Sequence, residues 1–324
     1  MSLERPIRLG TRGSMLARRQ ADWTAQRLRD AGHSVEIIEI TTKGDVVTGS
    51  LAAAGGIGLF TRAIQQALLD QEIDLAVHSL KDLPTDPVSG LRLGGVPERE
   101  VVSDVLIGRE PISLSDLPAG AVVGTGSLRR RAQLWHARRD LDIRDIRGNL
   151  DTRLRKLDEG QYDAIILASA GLKRLGWDHV HATELPHDIM LPAVGQGALG
   201  WEIRSGDDDL AAALAEIEHR ESHLAVLAER SLLRELRGGC LAPVGAHAVV
   251  DEHSLRLDAV VLDPQGTERR FATIQLSGSE LTPQVAEEAG RTVANQLLAD
   301  GAEALIQASR PIPEPPEPRE SDET

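Results

Sequence analysis

Two stretches of this chain, far apart in sequence, carry the same local pattern. Leu9-Gly10-Thr11-Arg12-Gly13-Ser14-Met15-Leu16-Ala17-Arg18-Arg19-Gln20 is echoed by Val123-Gly124-Thr125-Gly126-Ser127-Leu128-Arg129-Arg130-Arg131-Ala132-Gln133. Each reads as a short apolar strand, a Gly-Thr turn, a serine placed to cap a helix, and a basic first turn. A second echo links Asp74-Leu75-Ala76-Val77-His78-Ser79-Leu80-Lys81 with Asp163-Ala164-Ile165-Ile166-Leu167-Ala168-Ser169-Ala170-Gly171-Leu172-Lys173. Strands followed by helices bury their apolar faces by stacking helices on a mostly parallel sheet. The repeat therefore predicts two α/β domains of similar topology, each turning a helix N-terminus toward a shared cleft.

The intervening segments fit that plan. Ile7-Arg8-Leu9-Gly10 is a strand, and the helix after it, with Leu16, Trp23 and Leu28 on its apolar positions, ends at Gly32. Ser14 as N-cap sets free N–H groups and Arg12 around one point, a ready anion site. Val35 to Thr41 is the next strand. Residues 43–58 hold Gly44, Gly49, Gly55, Gly56 and Gly58 without periodicity, so this is either a surface loop or a mobile lid. Phe60 to Leu69 reads as a helix and Asp74 to Ser79 as a buried strand. Lys81 and Asp82 then fall just past the carboxyl end of that strand, where open α/β sheets keep their sites.

Leu191-Pro192-Ala193-Val194-Gly195-Gln196-Gly197-Ala198-Leu199-Gly200 contains a G-x-G-x-x-G string. Pro192 before it and the strand-like Trp201-Glu202-Ile203-Arg204 after it exclude a dinucleotide fingerprint, and a glycine-rich crossing between domains is expected instead. His219 and His223 have helical spacing but lack the glutamate and third ligand of a zinc site, so no metal is expected there. Glu221 to Leu236 is a strong helix. Strand-like runs at 244–250, 255–262 and 270–276 form an antiparallel meander, and helices at 283–299 and 302–308 complete an α+β domain. The proline-rich, acidic residues 311–324 read as a disordered tail. The resulting division is 1–97 with 198–217, then 98–197, then 218–310.

Charge narrows the function. Lys and Arg number 36 against 50 Asp and Glu, a net −14 that argues against nucleic acid and anionic membranes as partners. Yet residues 127–156 hold ten arginines and lysines against four aspartates. Arg138 and Arg139 fit a solvated helix face. Arg129 and Arg130, one step inside a capped N-terminus, suit bidentate carboxylate or phosphate binding. Residues 1–6 lack the apolar core of a signal peptide, and the best apolar run, Ala164 to Leu172, is too short to span a bilayer. Cys240, the single cysteine, permits no intramolecular disulfide and no structural zinc site, and it fits a cytoplasmic location. It follows Gly238-Gly239 on a loop, either as a small buried hydrophobe or as a nucleophile. Taken together, these features predict an enzyme for a polyanionic small molecule, in which Cys240 is available for covalent attachment.

The motifs also resemble those of the porphobilinogen deaminase (hydroxymethylbilane synthase) family. The resemblance rests on Thr11-Arg12-Gly13-Ser14, Gly55-Gly56 with Gly58-Leu59-Phe60, Ala76-Val77-His78-Ser79-Leu80-Lys81-Asp82-Leu83-Pro84, Gly124-Thr125-Gly126-Ser127-Leu128-Arg129-Arg130, Arg147-Gly148-Asn149 with Thr152-Arg153, Gly171-Leu172-Lys173-Arg174, Leu191 to Gly197, and Gly238-Gly239-Cys240, collinear over about residues 7–307. It implies two periplasmic-binding-protein-like α/β domains flanking a cleft, plus a smaller α+β C-terminal domain with an antiparallel sheet. It implies a transferase that joins four porphobilinogens with loss of ammonia into a linear tetrapyrrole, built on a dipyrromethane cofactor held by a thioether to Cys240. By the same resemblance Asp82 is the catalytic carboxylate, stabilising the cationic azafulvene formed as ammonia leaves. Lys81, Thr125, Ser127, Arg129, Arg130 and Gly171 would hold the cofactor, and Arg12, Ser14, Phe60, Arg147, Arg153, Arg174 and Gln196 the substrate. A monomer that hands its product to the next enzyme is expected.

The chain departs from the family pattern at three places. Ile57 stands where lysine is usual, Arg62-Ala63-Ile64-Gln65 where Lys-Glu-Leu-Glu is usual, and Arg237 where glutamate precedes Gly-Gly-Cys. Two other classes remain open on residues alone. A non-catalytic dicarboxylate-binding protein would share the lobes and the arginines but have no use for Asp82 or a loop thiol. A cysteine hydrolase would need a basic partner for Cys240, and no histidine stands in a recognisable relation to it.

Overall fold

The structure is a computed structural model that describes residues 5–41, 61–238, 242–278 and 280–309. The glycine-rich segment 43–58, Phe60, Cys240 and the tail 311–324 lie outside the described residues.

The first lobe is built from β1 (Ile7–Thr11), α1 (Met15–Asp30), β2 (Val35–Glu39), α2 (Arg62–Leu69), β3 (Leu75–Ser79) and β4 (Leu91–Gly95). The second comprises β5 (Asp104–Gly108), β6 (Val122–Gly124), α3 (Leu128–Ala137), β7 (Asp142–Arg144), α4 (Leu150–Asp158), β8 (Ala164–Ala168), α5 (Ser169–Leu175) and β9 (Ala182–Glu184). The chain then returns through β10 (Leu199–Arg204) to the first sheet, whose order is β2-β1-β3-β10-β4, while the second sheet runs β7-β6-β8-β5-β9. In both sheets the first three strands are parallel, and an antiparallel strand follows.

The sequence echo is a structural one down to its register. Leu9 pairs with Leu75 and Gly10 with Ala76; Val123 pairs with Ala164 and Gly124 with Ile165. The aspartate that opens each second strand repeats its bonds too. Asp74 donates its N–H to Arg8 O at 2.8 Å and accepts from Arg8 N at 3.1 Å. Asp163 does the same with Val122, at 2.9 and 2.8 Å. Asp74 carries more load, because Arg5, Arg8 and Arg204 converge on it. Burial alone would raise its carboxyl, but hydrogen bonds from Arg8, Arg5 and Arg204 outweigh that and hold it well below the usual carboxylate range. One carboxylate thereby ties β1, β3 and β10 together.

Beyond α6 (Asp208–Ala215), α7 (Arg220–Glu235) leads into the third domain. Its sheet is the meander β11 (Val244–Val250), β12 (Ser254–Leu262), β13 (Arg269–Ser277), packed on α7, α8 (Pro283–Ala299) and α9 (Ala302–Ala308). Gly290 of α8 lies on Ala228 O of α7, so a side chain there would meet backbone, and this lets the two helices cross closely.

Residues 191–198 form a turn-rich crossing rather than opening a helix, as the sequence predicts. Gly197 adopts φ +82 and stands against Glu100 O, where the outgoing and returning crossings touch. A β-carbon there would clash with that carbonyl. Two expectations need correction. The second strand ends at Glu39 rather than Thr41. Arg138 is no solvated side chain: it is the C-cap residue of α3, pairs with Asp140 at 2.7 Å, and donates to Leu114 O at 2.6 Å and Leu117 O at 2.9 Å. A guanidinium at a helix end folds back onto nearby carbonyls more readily than it points into water.

Candidate functional site

A cleft of about 520 Å³ opens between the two lobes, lined by the first turn of α1, the end of β3, and the starts of α4 and α5. Ser14 caps α1 by accepting from Ala17 N at 3.3 Å, and no acidic residue stands in that first turn to compensate the free N–H groups. Ser14 and Arg12 both line the cleft. This end of the helix favours an anion.

Asp82 occupies the floor. β3 runs into a single helical turn, Leu80–Asp82, and each side of that turn is tied down. Leu80 N donates to Ala198 O at 3.0 Å and Leu83 N to Leu80 O at 3.1 Å, after which Pro84 fixes the backbone. The Asp82 side chain is exposed toward the cleft and makes no hydrogen bond or ion pair with another described residue. It is an uncommitted carboxylate whose backbone is held by the turn.

The walls are cationic. Desolvation pushes the half-buried Lys81 ammonium down to about 8, with Arg130 adding to the effect and Asp82 opposing it. Its Nζ donates to Gln196 Oε1 at 3.3 Å. Arg153 and Arg174 are each pushed down to about 10, chiefly by desolvation. Their hydrogen bonds go to backbone, Gly148 O at 2.8 Å and Gly197 O at 2.6 Å, and neither has an ion pair with a described carboxylate. A carboxylate ligand would supply the missing partner.

Asp104 organises the wall from behind. Fully buried on β5, it takes Arg129 at 2.7 Å on one oxygen, and Arg130 at 2.7 Å with Gln196 at 2.9 Å on the other. Burial would raise its carboxyl, but Arg129 and Arg130 hold it well below the usual range. Arg130 reaches the main cleft. Arg129 faces instead a second, smaller cavity of about 60 Å³, shared with Lys81, Ser127 and the third-domain residues Arg230, Ala242 and Val244.

The sequence-predicted residues therefore fall into groups. Arg12, Ser14, Lys81, Asp82, Arg130, Arg153, Gly171 and Arg174 meet at the main cleft, and Lys81, Ser127 and Arg129 at the smaller cavity. Thr125 and Gln196 are buried behind them: Thr125 Oγ1 accepts from Ser127 N at 3.2 Å, and Gln196 also donates to Val102 O at 2.7 Å. Arg147 is held off the cleft lining by Asp145 at 2.8 Å. Phe60 and Cys240 lie outside the described residues. Sequence reasoning missed Asp104, since nothing marks one aspartate at the head of an apolar strand. It also missed the buried pair His78 and Glu202, 3.0 Å apart, with His78 lining the cleft.

An acid on a hydrogen-bonded turn, faced by Arg153 and Arg174 without ion pairs to described carboxylates and enclosed by two α/β lobes, makes a cleft suited to a small polycarboxylated molecule. The family model described as "Porphobilinogen deaminase, dipyromethane cofactor binding domain" matches residues 7–212, and "Porphobilinogen deaminase, C-terminal domain" matches 223–299. The porphobilinogen deaminase of Pelotomaculum thermopropionicum is 45% identical over 311 residues, 95% of this chain and 98% of that protein. That of Desulforudis audaxviator is 48% identical over 307 residues, 94% of this chain and 98% of that protein. Among solved structures, the periplasmic VFT2 domain of Bordetella pertussis BvgS is similar at TM-score 0.40 and 14% identity, over 69% of this chain and 92% of that one, a likeness too loose to bear on chemistry. The chain belongs to the porphobilinogen deaminase family, transferases of tetrapyrrole synthesis that carry a dipyrromethane cofactor. No helix among the described residues is long and apolar enough to cross a membrane.

The residues present fit that cofactor. Arg129 Nε is buried without a partner beside the smaller cavity, and the surrounding donors are cationic or hydroxylic, as carboxylate-bearing pyrroles require. Ala242, on the same cavity, is a near neighbour of Cys240 in sequence.

Proposed function

We propose that this chain joins four porphobilinogen molecules head to tail, releasing ammonia at each addition, to form hydroxymethylbilane. The dipyrromethane, held by a thioether to Cys240, supplies when bound the pyrrole carbon to which the first new ring is joined. Lys81, Ser127, Arg129 and Arg130 hold its acetate and propionate groups, with Thr125 and Gly171 shaping the pocket. Arg12, Ser14, Arg153 and Arg174 orient the incoming substrate by its carboxylates, and Gln196, Arg147 and Phe60 act in support.

As the C–N bond of porphobilinogen breaks, its electron pair leaves with nitrogen and positive charge spreads over the pyrrole ring. Asp82 stands where that charge develops and accepts from the ring N–H. The turn fixes its backbone in advance, so the negative charge is held at the cleft before the positive charge appears. Relaying the proton displaced at the new C–C bond is its second role. The cleft cations bind substrate and transition state alike, so Asp82 carries the rate.

The observation that carries this reading is the uncommitted Asp82 carboxylate on a turn bonded at Leu80 and Leu83, within a wall of arginines. Asp82→Asn keeps an acceptor but loses the charge. Single-turnover ammonia release should fall by about 10² to 10⁴ with substrate binding nearly unchanged. A wild-type rate would remove Asp82 from the chemistry. The same reading keeps the chain a cytoplasmic monomer that passes its product to the next enzyme. It also keeps the division at 1–97 with 198–217, 98–197 and 218–310.

A further inference from the structure

We infer that Arg230, on the third domain's α7, is a positioning residue for the reaction, setting the place of Asp82 from outside its lobe; this rests on the assignment of Asp82 as the catalytic carboxylate. Arg230 Nη1 donates to Leu83 O at 2.9 Å and Nη2 to Pro84 O at 2.7 Å. The two carbonyls directly follow Asp82. Upstream the turn hangs from Ala198 O through Leu80 N, and internally Leu83 N closes on Leu80 O. Downstream, Pro84 has no N–H to offer, so the turn's remaining grip is through its carbonyls, and both go to Arg230. A planar guanidinium fork holds two successive carbonyls at once and fixes the peptide plane between them. A lysine, as a point charge on a flexible stem, satisfies one at a time.

The fork is useful only if its own base is fixed, and the preceding residue fixes it. Glu229 is fully buried and accepts from Arg99 at 2.7 and 3.0 Å, from Gly195 N at 2.7 Å and from Ala248 N at 2.8 Å. Arg99 and Gly195 belong to the two crossings between the lobes, and Ala248 to β11. Neighbouring residues of α7 thus join the third domain to the crossings and to the catalytic turn. Arg230 also lines the smaller cavity, with Lys81, Arg129 and Ala242. The domain that carries the cysteine therefore bonds directly to the turn that carries the acid, at the two residues after it.

A misplacement of about 1 Å in a reacting group costs roughly 10²-fold in rate. Releasing Leu83 O and Pro84 O should act on kcat through Asp82 and leave the cleft cations in place. The test measures single-turnover ammonia release and KM in fully loaded enzyme, with cofactor content read by intact mass. Arg230→Met should lower kcat about ten- to a hundredfold with KM within about twofold, and Arg230→Lys should recover part of the loss. The double variant Asp82→Asn with Arg230→Met should be no slower than Asp82→Asn alone, because a residue that acts through Asp82 has nothing left to position. Losses that multiply in the double variant would overturn the inference, as would a wild-type kcat in Arg230→Met. If Arg230→Met folds poorly or loses cofactor, the same cycle is run with Arg230→Lys, and multiplying losses there again refute it. A wild-type rate in Asp82→Asn would instead sink the catalytic assignment itself, so the two failures are told apart.

Discussion

Replacing Asp104 by asparagine tests how the cationic wall is held. The carboxylate is fully buried and lies between Arg129 and Arg130, whose side chains are 4% and 8% exposed, at 2.7 Å from each. Asparagine keeps one acceptor oxygen but turns an NH₂ donor toward a guanidinium and leaves two buried cations side by side. Removing one partner of a buried ion pair costs about 3–5 kcal/mol, and here one carboxylate serves two arginines and Gln196, which puts the loss at the upper end. The assay is urea unfolding of the second lobe, followed by the fluorescence of Trp135 and Trp177. The pH dependence adds a second arm. Asp104 has its carboxyl held below the unfolded value, so its stabilisation is complete above the unfolded pKa of about 3.9 and is lost as pH falls through the folded one. The gap between wild type and Asp104→Asn should therefore be constant from pH 5 to 8, on the order of 5 kcal/mol, and narrow below about pH 4. Equal urea midpoints at pH 7 would refute the argument, and a gap that widens in acid would refute its electrostatic form.

Two further outcomes can be checked directly. Arg237 adopts φ 50 just beyond α7, a left-handed conformation usually left to glycine. Arg237→Gly should raise stability by up to about 1 kcal/mol, measured by thermal melting, and a lower melting point would contradict the strain. Lys81 is pushed down to about 8 by desolvation, so in cofactor-free protein its burial penalty is present below pH 8 and is relieved as pH rises toward its unfolded value. Relative to Lys81→Met, the wild type should gain stability between pH 8 and 10; a flat difference would show that Lys81 is not desolvated.

The lobes are legible in the sequence because their repeat is one of punctuation. Gly-Thr and a capping serine, set between an apolar run and a basic one, leave few choices of local structure. Lys81 and Asp82 are legible for the same reason, since the strand before them is apolar and Pro84 ends the turn. β4, β7 and β9 are not legible, because they are short strands of mixed polarity whose pairing comes from tertiary context. β5 is hidden differently: all five residues are buried, so no alternation marks it. Arg129 is read as a donor of the site, which its position at a helix start supports. Its partner Asp104 comes from a strand earlier in the chain, and only the folded topology brings the two together.

The shared register has one more consequence. Asp82 stands eight residues beyond Asp74, and Gly171 eight residues beyond Asp163, so the acid of one lobe is matched in the other by a residue with no side chain. Both border the same cleft. Two equivalent halves facing each other would accept a ligand end-for-end in either sense, and a molecule with unlike ends would be held backward as often as forward. An acid in one half and bare backbone in the other abolish that ambiguity. The duplicated architecture thereby acquires a polarity, and polarity is what the proposed head-to-tail assembly would demand of the surface that holds it.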